Sequence, residues 1–407
     1  MGSVFRGSPS LLRANASRFV KILLIGNYAN DRQESMQRFA ETLYAGFLEC
    51  GHEVDLLRPP AILGRWGKAS GGLGKWLGYF DKFLLFPRRL QGHLAAAEVV
   101  HICDHSNSMY VSSLGSKAHV VTCNDLLAVR SALGEFPQNA TRFTGRILQR
   151  WIVNGLRRAR YVTSISHATQ RDLLRITGRK AEDGEVIHMG LNQAFSPVDR
   201  VEQDRALAGI FQRLDLPRPR RYLFHIGGNQ WYKNRLGLLS IFAQVIGMVD
   251  FPLQLVIAGA ALDSGQMSMA AKLGIVDRIS FIGSVSSEDL RALYAGAEAL
   301  VFPSLAEGFG WPIVEAQACG SRVLTSGRAP MDEIGGSACA YVDPDDAATA
   351  GRALAEMLTE SAAERTVRVQ EGLRNAEKYR TQKMIAHYLA VYKKVVEAGV
   401  GLTVRPL

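Results

Sequence analysis

The sequence predicts an α/β protein built from two doubly wound units. Short apolar runs alternate with amphipathic helical stretches along most of the chain. The succession strand, glycine, loop, helix opens twice, near residue 20 and again at residue 222. The chain also holds 407 residues at 47% hydrophobic. Single cores stop growing near roughly 250–300 residues, so this much apolar material implies two of them.

Val20–Ile25 (VKILLI) is a continuous apolar run closed by Gly26, the pattern of a strand buried on both faces. Glu34–Cys50 follows as a helix, with Met36, Phe39, Ala40, Leu43, Phe47 and Leu48 on one face and Gly51 as its stop. Further strands are expected at Glu53–Leu57, Val99–Cys103, His119–Thr122, Tyr161–Ser164 and Val186–His188. The second unit opens with Tyr222–Ile226 and Gly227-Gly228, then a helix from about Asn234. Its later strands are expected at Leu253–Ala258, Ile279–Ile282, Ala299–Phe302 and Arg322–Thr325. Pro197, Pro217 and Pro219 among charges mark the boundary. The expected organisation is a flexible tail at 1–19, a first domain at 20–196, a linker at 197–220, a second domain at 221–378, and a closing helix at 379–407 that crosses back to the first domain. Ligands of doubly wound sheets bind beyond the carboxyl ends of the strands, at helix N-termini.

The formal net charge is +10, and it is one-sided. Residues 1–200 hold 26 Lys and Arg against 16 Asp and Glu, while the rest hold 22 of each. Such a field attracts nucleic acid, anionic membrane or an anionic substrate, and it also serves plain solubility. The five cysteines form no CxxC pair, which argues against a disulfide framework or zinc site and fits a reducing cytoplasm. No apolar run is long enough to span a membrane, and the first 19 residues lack the apolar core of a signal peptide.

The strongest chemical signal is PSLAEGFGWPIVEA, Pro303–Ala316. A buried strand leads into a loop with two glycines. Pro312 then sits where a helix would start, at N1, and the helix runs to Gly320. Backbone N–H groups of Gly308–Gly310 and the helix N-terminus suit a diphosphate. Glu307 and Glu315 flank the turn, eight positions apart. Carboxylates are strong acceptors for paired sugar hydroxyls. The plainer alternative is that Glu315 complements the helix dipole and Glu307 is solvated. The strand–loop–Gly–Pro–helix context favours the binding role.

This segment resembles the E-x7-E region of the retaining, GT-B-fold glycosyltransferases of family four (glycosyl transferases group 1). Further matches are HIGGNQWYKN, LVIAGA, ISFIGSVSSEDLRALYAGAEALVFPS and the Asp343-Pro344 turn; KILLIGNYANDRQESMQRFAETLYAGFLECGHEVDLL, VVHICDHSN, VVTCNDL and YVTSISHATQRDLLR match more loosely. The resemblance implies two Rossmann-like domains facing a central cleft. It implies transfer of a hexosyl unit from a nucleotide-sugar to a glycan or lipid-linked acceptor, with retention and with neither metal nor cofactor. By this resemblance Glu307 holds sugar hydroxyls and Glu315 the ribose. Gly308, Phe309 and Gly310 contact sugar and phosphate, and Lys233 neutralises the leaving diphosphate. Gly228, Asn234, Arg235, Ile313 and Val314 join the donor site, and Gly283 and Ser284 read the base through their backbone.

The first loop, from Gly26 and Asn27 to Arg32, lies against donor phosphate or acceptor in this reading, together with His105, Asn124 and Asp125. The chain departs from the family in places. Tyr232 replaces a common arginine, for which Arg235 or Arg32 is the candidate substitute. Asn124 replaces a common histidine. Lys233 as an ordinary surface lysine, Arg32 as a turn cap and His105 as a structural histidine are the competing assignments. A non-catalytic or isomerising sugar-nucleotide-binding protein of the same fold is the second functional reading.

Leu63–Arg89 carries six basic residues, one acid and the aromatics Trp66, Trp76, Tyr79, Phe80, Phe83 and Phe86. It reads as an anionic-membrane surface, placing the protein on the inner leaflet of the cytoplasmic face, with core packing or an anionic acceptor pocket as alternatives. Arg142, Arg146 and Arg150 repeat every four residues, and no acid lies between Phe136 and Arg171. A nicotinamide enzyme would need G-x-G-x-x-G after the first strand, and Gly26 is followed by Asn-Tyr-Ala. No RRM, zinc or helix-turn-helix signature supports a nucleic-acid partner.

Overall fold

A computed structural model describes residues 20–31, 33–64 and 77–400. The expected tail at 1–19, Arg32 and residues 65–76 of the basic aromatic segment lie outside them. The chain divides into two compact units, Met1–Asn192 with Thr381–Leu407, and Gln193–Arg380.

The first unit is a parallel sheet of six strands: β1 (Lys21–Ile25), β2 (Glu53–Leu57), β3 (Val99–Ile102), β4 (His119–Cys123), β5 (Tyr161–Ser164) and β6 (Gly184–Val186). Their order is β2-β1-β3-β4-β5-β6. β3 and β4 are buried along their whole length, as strands covered on both faces must be. The sixth strand falls two residues before its expected place, beginning at Gly184, whose Cα lies so close to Val162 that an added Cβ would meet its carbonyl oxygen at 2.1 Å.

The helix Thr381–Val400 belongs to this unit. Tyr388 and Tyr392 carry it onto the sheet. His101 Nδ1 lies 2.6 Å from the Tyr392 hydroxyl, and its Nε2 lies 2.7 Å from Thr122 Oγ1, which reaches Tyr388 at 2.9 Å. Burial pushes the His101 pKa down to about 3, so it is neutral and structural.

The second unit contains β7 (Tyr222–Gly227), β8 (Gln254–Gly259), β9 (Ile279–Gly283), β10 (Ala299–Phe302), β11 (Val323–Ser326) and β12 (Cys339–Val342), parallel in the order β12-β11-β10-β7-β8-β9. β12 was not expected from sequence. It is a short edge strand, CAYV, whose two central residues are part-exposed, and it opens on the small residues Cys339 and Ala340 rather than on the branched aliphatic residues typical of strands. The stretch 197–220, expected as linker, holds a helix, Arg200–Arg213. Asp199 caps it by accepting the N–H groups of Val201 and Glu202, and Leu207, Ile210 and Phe211 are buried within this unit.

The strand orders create the sites. In each unit the first strand has its neighbours reached by crossovers in opposite directions, so two loops diverge at its carboxyl end. That switch point falls between β1 and β3 in one unit and between β7 and β10 in the other.

Candidate functional site

At the second unit's switch point, the loop after β7 meets the loop after β10. The β7 loop ends in a 3₁₀ turn, Trp231–Lys233, and in Asn234, whose φ of 51° is left-handed. Asparagine tolerates that conformation better than most side chains. Its Oδ1 caps the helix Arg235–Val245 by accepting the Gly237 N–H at 3.2 Å. Its Nδ2 donates to the carbonyls of Pro303 and Pro344 at 3.1 and 3.0 Å. Asn234 therefore pins three loops together, and Leu305 adds a bond from its N–H to the Tyr232 carbonyl at 2.7 Å.

This pinning brings Lys233 Nζ to 2.7 Å from Glu307 Oε1, across 74 positions of sequence. The two side chains are only 16% and 10% exposed, so the pair is charge-assisted and partly desolvated. The ammonium also lies 5.0 Å from the Phe302 ring centroid and 5.6 Å from that of Tyr232. Tyr232 thus flanks the lysine, at the position where the family resemblance implied an arginine.

Gly310 opens the helix Trp311–Ala318 with φ 102°, a conformation open to glycine. Pro312 is the second helical residue rather than the first, where its missing N–H is equally harmless. The helix ends at Ala318, with Cys319 as cap, short of the expected Gly320. Phe309 turns inward and packs edge-on against Tyr379 at 5.6 Å. Ile313 and Val314 are fully buried, and the Ile313 N–H is taken by the Gly310 carbonyl. These two serve packing, and their side chains do not line a donor surface.

Glu315 lies in the first turn and a half of this helix, buried, and accepts the Tyr294 hydroxyl at 2.8 Å. Burial and the Glu315 charge hold the Tyr294 pKa far above the ordinary phenol value, so it stays a donor. Tyr294 was not foreseen, because it comes from another helix, Ser287–Gly296. Gly283 is the last residue of β9 and Ser284 follows it, and β9 is separated from β7 by β8. Gly283 is exposed with φ 62°.

Arg235 is not a phosphate cation. It is 2% exposed, and its guanidinium donates to the Gly227 and Ala260 carbonyls and to Asn229 Oδ1, each at 2.6 Å. It clamps the loops after β7 and β8, whose closeness shows in Gly259, where an added Cβ would lie 2.4 Å from the Gly227 carbonyl oxygen.

The first unit's switch point holds a different cluster. Asn27, after β1, donates through Nδ2 to Asp104, after β3, and to Gln33. Asn107 donates to Asn27 Oδ1 at 3.3 Å. Ser106 donates to Asp104 through its N–H at 3.2 Å and its hydroxyl at 2.6 Å. Asn124 Nδ2 donates to Asp104 Oδ1 at 3.3 Å and to the Cys103 carbonyl at 3.2 Å. Two acceptors on that side fix the amide's orientation and leave Oδ1 as its acceptor face. Asp125 Oδ1 accepts the Leu127 N–H at 3.0 Å. Gly26 faces the Arg58 side chain. Asp104 is the hub, and sequence reading passed over it. An acid at the end of a buried strand was the available signal.

His105 Nδ1 lies 3.0 Å from Asp104 Oδ1, an ion-pair contact bent away from hydrogen-bond geometry. Burial acts against the charged imidazole, but the Asp104 carboxylate, with Asp125 behind it, raises the His105 pKa above its ordinary value. Burial likewise opposes the Asp104 charge, yet His105, Ser106 and Asn27 hold that carboxyl well below the usual range. The imidazolium therefore contributes stability that is complete below an ordinary histidine pKa and is lost as pH rises through the folded value. Asp104→Asn is expected to bring the His105 titration, followed by NMR, down to or below an ordinary imidazole. A His105 pKa unmoved by that change would remove Asp104 as its partner.

Two Rossmann-like units of this topology constitute the GT-B fold. Solved structures agree: sucrose-phosphate synthase from Thermosynechococcus elongatus superposes with TM-score 0.70 at 19% identity, over 93% of this chain and all of that one. HepE from Anabaena, solved with UDP and glucose, gives 0.68 at 15% identity, over 92% of this chain and all of that one. The family described as "Glycosyltransferase Family 4" matches residues 36–195, and "Glycosyl transferases group 1" matches residues 209–375. The chain belongs to this family of glycosyltransferases. Among curated relatives, O-antigen chain mannosyltransferase B of Escherichia coli is 24% identical over 250 residues, 61% of this chain and 64% of that protein. D-inositol 3-phosphate glycosyltransferase of Mycolicibacterium smegmatis is 30% identical over 256 residues, 59% of this chain and 54% of that protein. The matched region thus spans between half and two thirds of these relatives' length.

Proposed function

We propose that the chain transfers a hexosyl unit from a nucleotide-sugar to a glycan or lipid-linked acceptor, with retention and without a bound metal. The observation that carries this is the Lys233–Glu307 pair at the switch point, 2.7 Å apart and shielded from solvent. In transfer, the bond from the sugar's C1 to the diphosphate breaks and its electron pair leaves with the nucleoside diphosphate, while the acceptor hydroxyl's oxygen bonds to C1 and its proton passes to the departing phosphate oxygen. Negative charge grows on the leaving oxygens. A fixed ammonium in a low-dielectric setting stabilises that charge and serves where a metal otherwise would. Glu307 accepts sugar hydroxyls, and Glu315, steadied by Tyr294, accepts from the ribose. The relatives include an O-antigen mannosyltransferase, which supports a glycan or lipid-linked acceptor. A non-catalytic or isomerising role is the second reading, and it is favoured by Asn124 standing where the family commonly has histidine.

Nucleoside-diphosphate sugars of the four common bases are screened by thermal shift, and the best binder is assayed for transfer. The product is expected to keep the donor's anomeric configuration, and a chelator should leave the rate unchanged. An inverted product, or activity lost to the chelator, overturns the corresponding half of the proposal. Glu307→Gln is expected to cut turnover while nucleotide binding survives, and Glu315→Gln to weaken nucleotide binding. Glutamine is chosen at 315 because alanine would orphan the buried Tyr294 hydroxyl, at about 1–3 kcal/mol of stability.

A further inference from the structure

The helix Phe143–Arg158 of the first unit has a well-packed inner face and an unusual outer one. Ile152, Val153, Gly155 and Leu156 are buried. Gly155 lies so close to the Ser108 backbone that an added Cβ would meet its carbonyl oxygen at 2.3 Å. Outside, Phe143, Ile147 and Trp151 recur every four residues and are 76%, 50% and 45% exposed. They form one stripe along the helix. Arg142, Arg146 and Arg150 precede them one by one and form a second, parallel stripe, all exposed. Arg146 Nε donates to the Thr141 carbonyl at 3.1 Å, and among the described residues none of these three arginines is paired with a carboxylate. Trp151 packs on Phe83 with ring centroids 4.9 Å apart, and the same helical stretch as Phe83 exposes Phe80 at 45% and Leu84 at 41%.

The sequence placed a membrane surface on Leu63–Arg89. In the described part of that segment the aromatic face is divided. Phe86 is fully buried, Phe83 packs against the core, and Lys82 is held by Asp31 at 2.8 Å. Among the described residues the longer exposed apolar stripe runs along the later helix, with Phe80 and Leu84 also exposed on the earlier segment.

Three occupants could cover two such stripes. A second copy of this chain would set arginines against arginines. A neutral apolar partner would strip water from three guanidinium groups without supplying charge. An anionic lipid surface satisfies both stripes, because rings enter the interface while arginine stems reach up to headgroup phosphates. We propose that Phe143–Arg158 lies in the plane of an anionic bilayer, with Phe143, Ile147 and Trp151 inserted and Arg142, Arg146 and Arg150 at the phosphates. The inference deepens the lipid-linked half of the proposed function and rests on it for its purpose, while its evidence is separate.

The full chain is sedimented with vesicles of phosphatidylcholine alone or mixed with phosphatidylglycerol. Binding to the mixed vesicles only, weakened by salt, is expected. Arg142→Gln, Arg146→Gln and Arg150→Gln together should lower the partition constant by roughly 100-fold, about fivefold per arginine. Phe143→Ser with Ile147→Ser should abolish binding. All five positions are exposed, so circular dichroism and melting temperature should match wild type. Transfer to a water-soluble acceptor should not change. Wild-type binding unaffected by both variants, equal binding to neutral vesicles, or no binding to either overturns the proposal. So does a dimer that the Phe143→Ser, Ile147→Ser variant dissociates. Normal vesicle binding with no sugar transfer would instead count against the proposed function alone.

Discussion

Lys233→Ala is expected to lower turnover roughly 10²- to 10³-fold, the cost of losing one preorganised group that stabilises developing charge. The ammonium is held by the turn Trp231–Lys233 and by Asn234, and it is 16% exposed, so its field is poorly screened. The same substitution removes the cation beside Glu307. A double-mutant cycle separates the two effects. If Lys233 acts on the departing diphosphate and Glu307 on the sugar, the losses in Lys233→Ala and Glu307→Gln should multiply. If Lys233 merely orients Glu307, the double variant should be no worse than the poorer single one. Turnover near wild type in Lys233→Ala would show that the cation has been misassigned.

Much of the fold was legible because parallel strands buried on both faces are nearly continuous apolar runs. Tyr161–Ser164 and Ala299–Phe302, buried along their whole length, fall where the runs indicated. The elements that escaped lack that signature. β12 is half-exposed at an edge. The helix Arg200–Arg213 buries only Leu207, Ile210 and Phe211 among its charged residues and is flanked by prolines, so its composition resembled a linker.

The site was legible where its residues are neighbours in sequence. Glu307, Gly310 and Glu315 share one loop and one helix, so the strand–loop–Gly–Pro–helix context around them marked a candidate site. Contacts across the switch points were not legible, because they depend on strand order. Lys233 meets Glu307 only because β7 lies beside β10, and Asn27 meets Asp104 only because β1 lies beside β3. Tyr294 reaches Glu315 from a helix whose sequence reads as ordinary amphipathic packing.

Arg235 gives the sharpest separation of sequence from structure. From sequence it was a candidate for the missing phosphate cation, since it follows Lys233 and Asn234 at a helix start. In the fold its side chain turns inward, and burial lowers its pKa from the ordinary arginine value, with the Asp263 charge partly opposing. Its donors serve the Gly227 and Ala260 carbonyls and Asn229, acceptors that a shorter side chain would leave unmet. Charged hydrogen bonds are worth about 1.5–3 kcal/mol each, and some of the freed carbonyls can regain water. Arg235→Met, which keeps the aliphatic stem, is therefore expected to destabilise the second unit by about 2–4 kcal/mol. For a unit of this size that is a fall in melting temperature on the order of 10 °C. Arg235→Lys should fare little better, because one ammonium cannot span the acceptors of a planar fork. Below the lowered transition both variants should still bind nucleotide within a few-fold of wild type. A variant with unchanged melting temperature and nucleotide affinity reduced 100-fold would restore Arg235 to the phosphates and leave the close approach of Gly227 and Gly259 to the pairing of β7 with β8 alone.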